Sequence, residues 1–584
     1  MHMEGKGVFR MTGGEALTEM LRLYQAQYVF GIGGFQLLPF YDAIARAGNR
    51  QPRHIVVDDE RTGAFAADGY ARISGRAGFC DATLGPGATN LTTPLVEAAT
   101  AGIPLVAFIG DSNRDHSGKN MTQETRQAEI LSPIAKELIR VERGHRIPEL
   151  MRRAFAAATS GRPGPVVLNI PEDIAHNEWD YPRDEFYVDP STLTIPARRI
   201  RPDQAELKKA AALIRKAERP VLLAGGGIHL SRAYRPLLEF TETFNIPVAH
   251  TLTGKGALPC AHPLCLNLFG RYDRVANHFI RSSDLLIALG FKFGEIATIR
   301  YTLIPRDATV IHIDIAAEEI GRHQRVEIGL WADCQAAIDD LLEELRDDAS
   351  RQREKRKPYF SEIQEKKLEW KTRNLERLTS NEKPVNLARV CHELTHAMPH
   401  NGILLADGGF AAHWAGLLYD TPAAGRTFVA NRGNASIGYG LPGAIGAQLA
   451  AGDAPVVAMT GDGGLNMTLG DLETAIREKI PLTLVVVNNA AHGYVKGLQH
   501  ALFQGRYQSA DFKEMNYANI AREMGCHSLR VEDPNDLAGA LREGIQEKSG
   551  PSLIDVVVTR DPSRMLPGVD VRSQLKIKAG DRPI

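Results

Sequence analysis

The stretch from Gly461 to Asn489, GDGGLNMTLGDLETAIREKIPLTLVVVNN, decides how this chain folds. It opens on a Gly-rich turn, continues as an amphipathic helical pattern and closes on the apolar run IPLTLVVV, which reads as a buried strand. Turn, helix and strand in that order return both ends of the stretch to one place, so the Asp462 carboxylate and the Asn489 amide converge. With a backbone carbonyl just past the second asparagine, they offer hard oxygen ligands to Mg²⁺, which bridges diphosphates. Gly461, Gly463 and Gly464 let backbone N–H groups approach the same diphosphate. GDG alone reads equally well as a solvated turn ahead of a helix. The paired asparagines shift that balance, because amides are poor strand formers and these two stand where open α/β sheets bind ligands.

At 584 residues the chain is too long for one core, and three domains of ordinary size are expected. Its 69 basic and 70 acidic side chains leave a net charge of −1, so no global field favours nucleic acid or an anionic membrane. Cys80, Cys260, Cys265, Cys334, Cys391 and Cys526 are scattered without a metal-binding spacing, which suits reduced, buried thiols. No apolar run approaches the length of a membrane span and the first residues lack a signal core, so a cytoplasmic protein is expected.

Three α/β units alternate short apolar strands with helical stretches, which predicts three doubly wound, mainly parallel sheets. The first domain is expected over 1–182, with strands in YVFGIGG, HIVVDDE, GFCDATLGPG, LVAFIGD and GPVVLNIPED. Residues 181–202, rich in Pro and polar side chains, read as a linker. A central domain over 203–345 carries RPVLLAGGG, NIPVAHTL, DLLIALG and TVIHIDI. The charged run that follows reads as a solvated helical connector. The third domain, 384–560, carries ILLADGG, PVVAMTGDGG, LTLVVVNN and SLIDVVV, and 561–584 is a tail that could serve as an arm or lid.

In HIVVDDERTGAFAADGYAR, Glu60 follows a strand and starts a helix rich in small residues. A carboxylate there either complements the helix dipole or serves as an acid/base. Taken together, FGIGGFQLLPFYDAI, ERTGAFAADGYARISGRAG, LGPGATNLTTPLVEA, SIGYGLPGAIGAQLA and GDGGLN…VVVNN resemble, in order and over almost the whole length, the acetolactate synthase-like family of thiamine diphosphate enzymes. That family includes pyruvate oxidase, benzoylformate decarboxylase, oxalyl-CoA decarboxylase and 2-hydroxyacyl-CoA lyases.

The resemblance implies roles for particular residues. Glu60 matches the glutamate that shares a proton with the pyrimidine N1′, so that the 4′-amino group can deprotonate the thiazolium C2; Asp59 stands before it where the family commonly has His or Asn. If both carboxylates are buried, one of their pKa values should rise. Asp462, Asn489 and the carbonyl of Ala491 match the Mg²⁺ ligands, and Gly463 and Gly464 the diphosphate donors. Ile437 matches the apolar wedge that folds the cofactor into a V, and Ala435 the carbonyl facing the 4′-amino group. Gly409, Phe410, Gly493 and Tyr494 fall in the cofactor loops. Active sites are implied at the interface of a homodimer or a dimer of dimers, with Glu60 from one subunit.

The substrate side departs from acetolactate synthase. Gln123 matches its active-site glutamine, but Thr122 stands for the usual Phe. Tyr494 replaces a Met and Leu498 a Trp, adding a polar handle and opening space. His492 reads as a proton relay or a plain helix-start histidine. Phe410 and Ala411 replace Gln-His. In the central domain GFKFGEIATIR replaces GxRFDDR and leaves Lys292 and Glu295, while AGGG and HIDI keep a nucleotide-compatible pattern, so FAD, ADP or no nucleotide is expected there. The leading expectation is a 2-oxo acid decarboxylase/carboligase. The alternatives are a lyase or decarboxylase acting on a 2-hydroxyacyl- or oxalyl-CoA thioester, suggested by the altered central domain and by Arg572, Lys576 and Lys578, and a non-catalytic relative.

Overall fold

In the computed structural model, residues 7–48, 50 and 52–567 are described; Arg572, Lys576, Lys578 and most of the expected tail lie outside them. Three six-stranded sheets, parallel throughout, follow one another along the chain. The first uses β2 (Tyr28–Gly31), β3 (Arg53–Val56), β4 (Gly78–Ala82), β5 (Leu105–Asp111), β6 (Glu137–Arg140) and β7 (Pro165–Pro171). A separate antiparallel ribbon pairs β1 (Val8–Thr12) with β8 (Glu178–Pro182). The central sheet holds β9 (Pro220–Ala224), β10 (Val248–His250), β11 (Cys265–Leu268), β12 (Leu285–Leu289), β13 (Val310–Asp314) and β14 (Ile328–Trp331). The third holds β15 (Ile403–Ala406), β16 (Phe428–Ala430), β17 (Val456–Gly461), β18 (Thr483–Asn488), β19 (His527–Val531) and β20 (Ser552–Val557).

The orders are informative. The first sheet runs β3-β2-β4-β5-β7-β6 and the third β16-β15-β17-β18-β20-β19, the same order once each is counted from its own first strand. The central sheet runs β11-β10-β9-β12-β13-β14, the dinucleotide-fold order. The order reverses between β2 and β4, between β9 and β12, and between β15 and β17. Loops diverge at such a point and leave a crevice at the carboxyl ends of the strands. The fully buried runs VVLNI, LLIAL and TLVVVN are what a sheet covered on both faces requires.

By packing, the chain forms two compact units. One takes the chain up to Arg198 with Asn431–Asp453 and Thr468–Pro481; the other takes Arg199–Ala430, Ala454–Met467 and the chain from Leu482 onward. In the first unit, helix Glu60–Ser74 crosses helix Gly440–Ala451 with backbone touching backbone. A Cβ added at Gly69 would stand 2.1 Å from the Gly443 carbonyl oxygen, and one at Gly446 1.7 Å from that of Ala66. Only glycine permits that approach.

Two expectations are corrected. The 181–202 stretch is no free linker: Tyr181, Thr192 and Ile195 are buried, and the Ile195 N–H donates to the Gly75 carbonyl. The charged connector forms helices Ala349–Lys355 and Lys357–Leu378, which do not simply stand in solvent. Between them Arg356 is fully buried and donates to the carbonyls of Phe244, Ile214 and Ala217 at 2.8, 2.7 and 3.1 Å. A cation there satisfies carbonyls at the ends of two helices of the central domain. Among the described residues no helix is long and apolar enough to cross a membrane, and all six cysteines are buried and free.

Candidate functional site

The GDG turn leaves β17 beside the end of β18, with Gly461 in register with Val487. Asp462 is buried, and its Oδ1 accepts the Gly463 N–H at 2.8 Å. Burial pushes its carboxyl up to about 6, opposed by the backbone amides of Gly463, Ala490, Asn489 and Ala491. The two ends of the opening stretch therefore do meet. Asp462 Oδ2 and Asn489 Nδ2 are buried without a hydrogen-bond partner, while Asn489 Oδ1 accepts the Ala491 N–H at 3.1 Å. Unsatisfied buried polar atoms are costly, and the unpartnered Asp462 oxygen points to a ligand. A desolvated carboxylate, an amide and nearby backbone carbonyls form an oxygen-rich set suited to a hard divalent cation. The described residues contain no cluster of three or more His, Cys, Asp or Glu side chains suited to a metal.

Glycines shape the crevice. A Cβ at Gly463 would come within 3.0–3.1 Å of the Phe512 and His492 rings, and one at Gly464 2.3 Å from Asp407 Oδ2. The Gly463 N–H is engaged by Asp462, whereas the sequence suggested it would face a diphosphate. Gly409 has φ 69° and ψ −117°, a conformation that glycine alone adopts without strain, and it starts helix Phe410–Leu418. Gly493 starts helix Gly493–Phe503 against the Phe410 ring and the Asn489 amide. His492 packs edge-on against Phe512.

Tyr494 belongs to a polar cluster that sequence reasoning missed. The buried Arg271 donates to its hydroxyl at 3.1 Å and to Glu295 at 2.9 Å. Tyr272 lies 3.4 Å from the same hydroxyl, and the His413 ring stacks on Tyr494. Arg271 stands just after β11, far in sequence from any motif, and no spacing announces it. In the central sheet, Gly225 and Gly227 are packed against Gly290, where a Cβ on either would meet backbone at 2.1 and 2.6 Å. Two of the three glycines of AGGG thus serve loop-to-loop packing.

In the other unit Glu60 is buried at the start of its helix, at the end of β3. Its Oε2 accepts the Asn90 amide at 2.9 Å, and its Oε1 stands 2.9 Å from where a Gly87 Cβ would be, so GPGATN packs against it. Asp59 does not share that burial. It caps the helix through the Arg61 N–H and pairs with the Arg61 guanidinium at 2.6–3.1 Å, which holds its pKa low against the effect of partial burial. The condition for a raised pKa, burial of both carboxylates, is therefore not met. Asp471 accepts the Asp58 N–H at 2.8 Å and the Thr62 hydroxyl at 2.6 Å, bracketing Glu60 on both sides; burial raises its carboxyl to about 6. Gln123 is exposed, and its backbone carbonyl abuts Gly85. Ala435 takes φ 57°, and the half-buried Ile437 follows it in the same loop.

The chain matches the N-terminal thiamine pyrophosphate-binding domain of thiamine pyrophosphate enzymes over residues 11–130, their central domain over 207–341 and their C-terminal binding domain over 407–556. It is 33% identical to a probable acetolactate synthase large subunit of Methanocaldococcus jannaschii, over 96% of this chain and 93% of that one. It is 31% identical to the acetolactate synthase large subunit of Corynebacterium glutamicum, over 98% and 91%. With that of Haemophilus influenzae it shares 29% over 94% and 95%. The chain belongs to the acetolactate synthase-like family of thiamine diphosphate enzymes. It is thus a thiamine diphosphate-dependent enzyme of carbon–carbon bond chemistry.

Proposed function

We propose that the chain is a Mg²⁺-dependent 2-oxo acid decarboxylase/carboligase, acetolactate synthase-like in its first half-reaction, working as a homodimer or dimer of dimers. The observation that carries this reading is the buried Asp462, with one oxygen unpartnered beside Asn489 at the ends of two adjacent parallel strands. Asp462, the Asn489 side chain and the Ala491 carbonyl hold Mg²⁺, and the loops at Gly461–Gly464, Gly409–Phe410 and Gly493–Tyr494 surround the diphosphate. Thiamine diphosphate, when bound, supplies the electron sink for breaking and making a bond at a carbonyl carbon. Glu60 gives and takes a proton at the pyrimidine edge, and its burial strengthens that bond by excluding water. The Ala435 carbonyl accepts from the 4′-amino group, Ile437 fills the space between the two rings, and Gln123 faces the substrate. No role is assigned to a nucleotide in the central domain.

Glu60 and Asp462 lie in different compact units, and the reading takes them from different subunits of one active site. Mixing resolves this. Glu60→Gln and Asp462→Ala are each inactive alone, but random reassociation makes half the dimers mixed, with one intact site in two. Pyruvate turnover should recover to about one quarter of wild type, by the statistics of a two-fold dimer. No recovery would place both residues in a single subunit. If the wild-type protein, loaded with thiamine diphosphate and Mg²⁺, leaves pyruvate and other 2-oxo acids unconsumed, the substrate class is wrong.

A further inference from the structure

The loop that carries Ala435 and Ile437 is held at both ends by one buried chain of charges. Glu97, on helix Thr92–Ala101, is fully buried, and its carboxylate accepts three successive backbone N–H groups: Gly433 at 2.7 Å, Asn434 at 2.6 Å and Ala435 at 3.1 Å. Successive N–H groups turned to one point make an anion-binding nest, and here the anion is supplied from within the chain. Gly433 permits it, since a Cβ there would stand 2.2 Å from the Glu97 carbonyl oxygen.

The Glu97 carboxylate also accepts from Arg72 at 3.1 Å. Arg72 in turn binds Asp68 at 2.5 and 3.2 Å, and Asp68 accepts the Tyr439 hydroxyl at 2.8 Å. Every member of this chain is buried. It leaves the loop at Tyr439 and returns to it at Gly433–Ala435. In the same segment Ala435 and Gly438 adopt φ 57° and 89°, and the buried Ser436 Oγ and Asn431 Oδ1 have no partner. A loop clamped at both ends, left-handed at a non-glycine residue and carrying unpaired polar atoms is built to present something to a ligand.

We propose that Glu97 is a positioning residue for cofactor activation: it fixes the direction of the Ala435 carbonyl by filling the nest that sets the backbone there. The inference rests on the assignment of Ala435 and Ile437 to the cofactor. A carboxylate is required because all three backbone groups donate. Glutamine has one acceptor oxygen and would turn an NH₂ group toward donors.

The test uses the full-length protein with thiamine diphosphate and Mg²⁺. Glu97→Gln should keep its fold by circular dichroism, weaken Mg²⁺-dependent cofactor binding in calorimetry by about tenfold, and slow hydrogen–deuterium exchange at the cofactor C2 by about tenfold or more at saturation. A merely structural Glu97 would change the thermal midpoint and leave C2 exchange at saturating cofactor untouched, and that result overturns the proposal. If Glu97→Gln does not fold, Glu97→Asp keeps the charge but shortens the reach; slowed exchange supports the proposal and a wild-type rate sinks it. Wild-type protein that binds no thiamine diphosphate would instead bring down the cofactor assignment on which the inference stands.

Discussion

Replacing Arg72 by methionine keeps most of the side-chain volume but removes the cation that bonds the buried carboxylates of Asp68 and Glu97. Removing one partner from a buried ionic network costs ~3–5 kcal/mol, because the remaining charges stay desolvated without compensation. Glu97 keeps three backbone donors and Asp68 keeps the Tyr439 hydroxyl, so the lower end applies here. Local opening of the Gly433–Ala435 segment should then be easier by ~3 kcal/mol, about a hundredfold in amide exchange at ~1.4 kcal/mol per decade. Exchange followed by mass spectrometry on peptides spanning 431–440, at neutral pH and without cofactor, reads this directly. Peptides from the central sheet serve as the internal control. Arg72→Lys should fall between, since an ammonium replaces only part of the fork. Unchanged exchange in a folded Arg72→Met protein would show that Glu97 is held by its backbone donors alone, and the network argument would be refuted.

Two further predictions concern the residues proposed to bracket the cofactor. Glu60→Gln should retain thiamine diphosphate while slowing C2 exchange at least a hundredfold, the scale of a lost acid/base group; normal exchange would remove Glu60 from the proton path. Asp462→Ala should abolish Mg²⁺-dependent cofactor binding in calorimetry, and an unchanged dissociation constant would refute the metal assignment. A third concerns pH. Because burial raises the Asp471 carboxyl to about 6, the fold prefers its neutral form. That preference is fully present below the ordinary carboxylate pKa of ~4 and is lost as pH rises through 6, at ~1.4 kcal/mol per unit and ~3 kcal/mol in all. Asp471→Asn keeps an acceptor for the Asp58 N–H and cannot ionise. Its thermal midpoint relative to wild type should therefore rise between pH 4.5 and 7, and a flat difference would mean Asp471 is already charged in the acidic range.

The central strands of each sheet could be read from sequence because they are buried on both faces and appear as uninterrupted apolar runs. The strands of the three large sheets that escaped notice, β6, β11, β14, β16 and β19, all lie at sheet edges. Edge strands here are short or alternate in burial, as β14 does with Ile328 and Leu330 inward and Gly329 and Trp331 exposed, so no continuous signal marks them. The site follows the same division. Asp462 and Asn489 stand at the ends of legible strands, whereas Arg271, Glu97 and Asp471 act through contacts 223 to 413 positions away in the chain. Asp471 lay inside the opening stretch and still gave no sign that its partners were Asp58 and Thr62.

The crossing of helix Glu60–Ser74 with helix Gly440–Ala451 has a mechanical consequence. With no side chains interleaved at Gly69, Gly443 and Gly446, there is no compressible layer to absorb sliding, and the two helices form one stiff beam. Glu60 sits at the tip of one member and Tyr439 adjoins the start of the other, so the Glu60 carboxylate and the Ala435–Ile437 loop travel together in any fluctuation. Breathing that admits substrate has to be found in other parts of the molecule. A single methyl group at Gly69 or Gly446 would act as a wedge driven between the two helices.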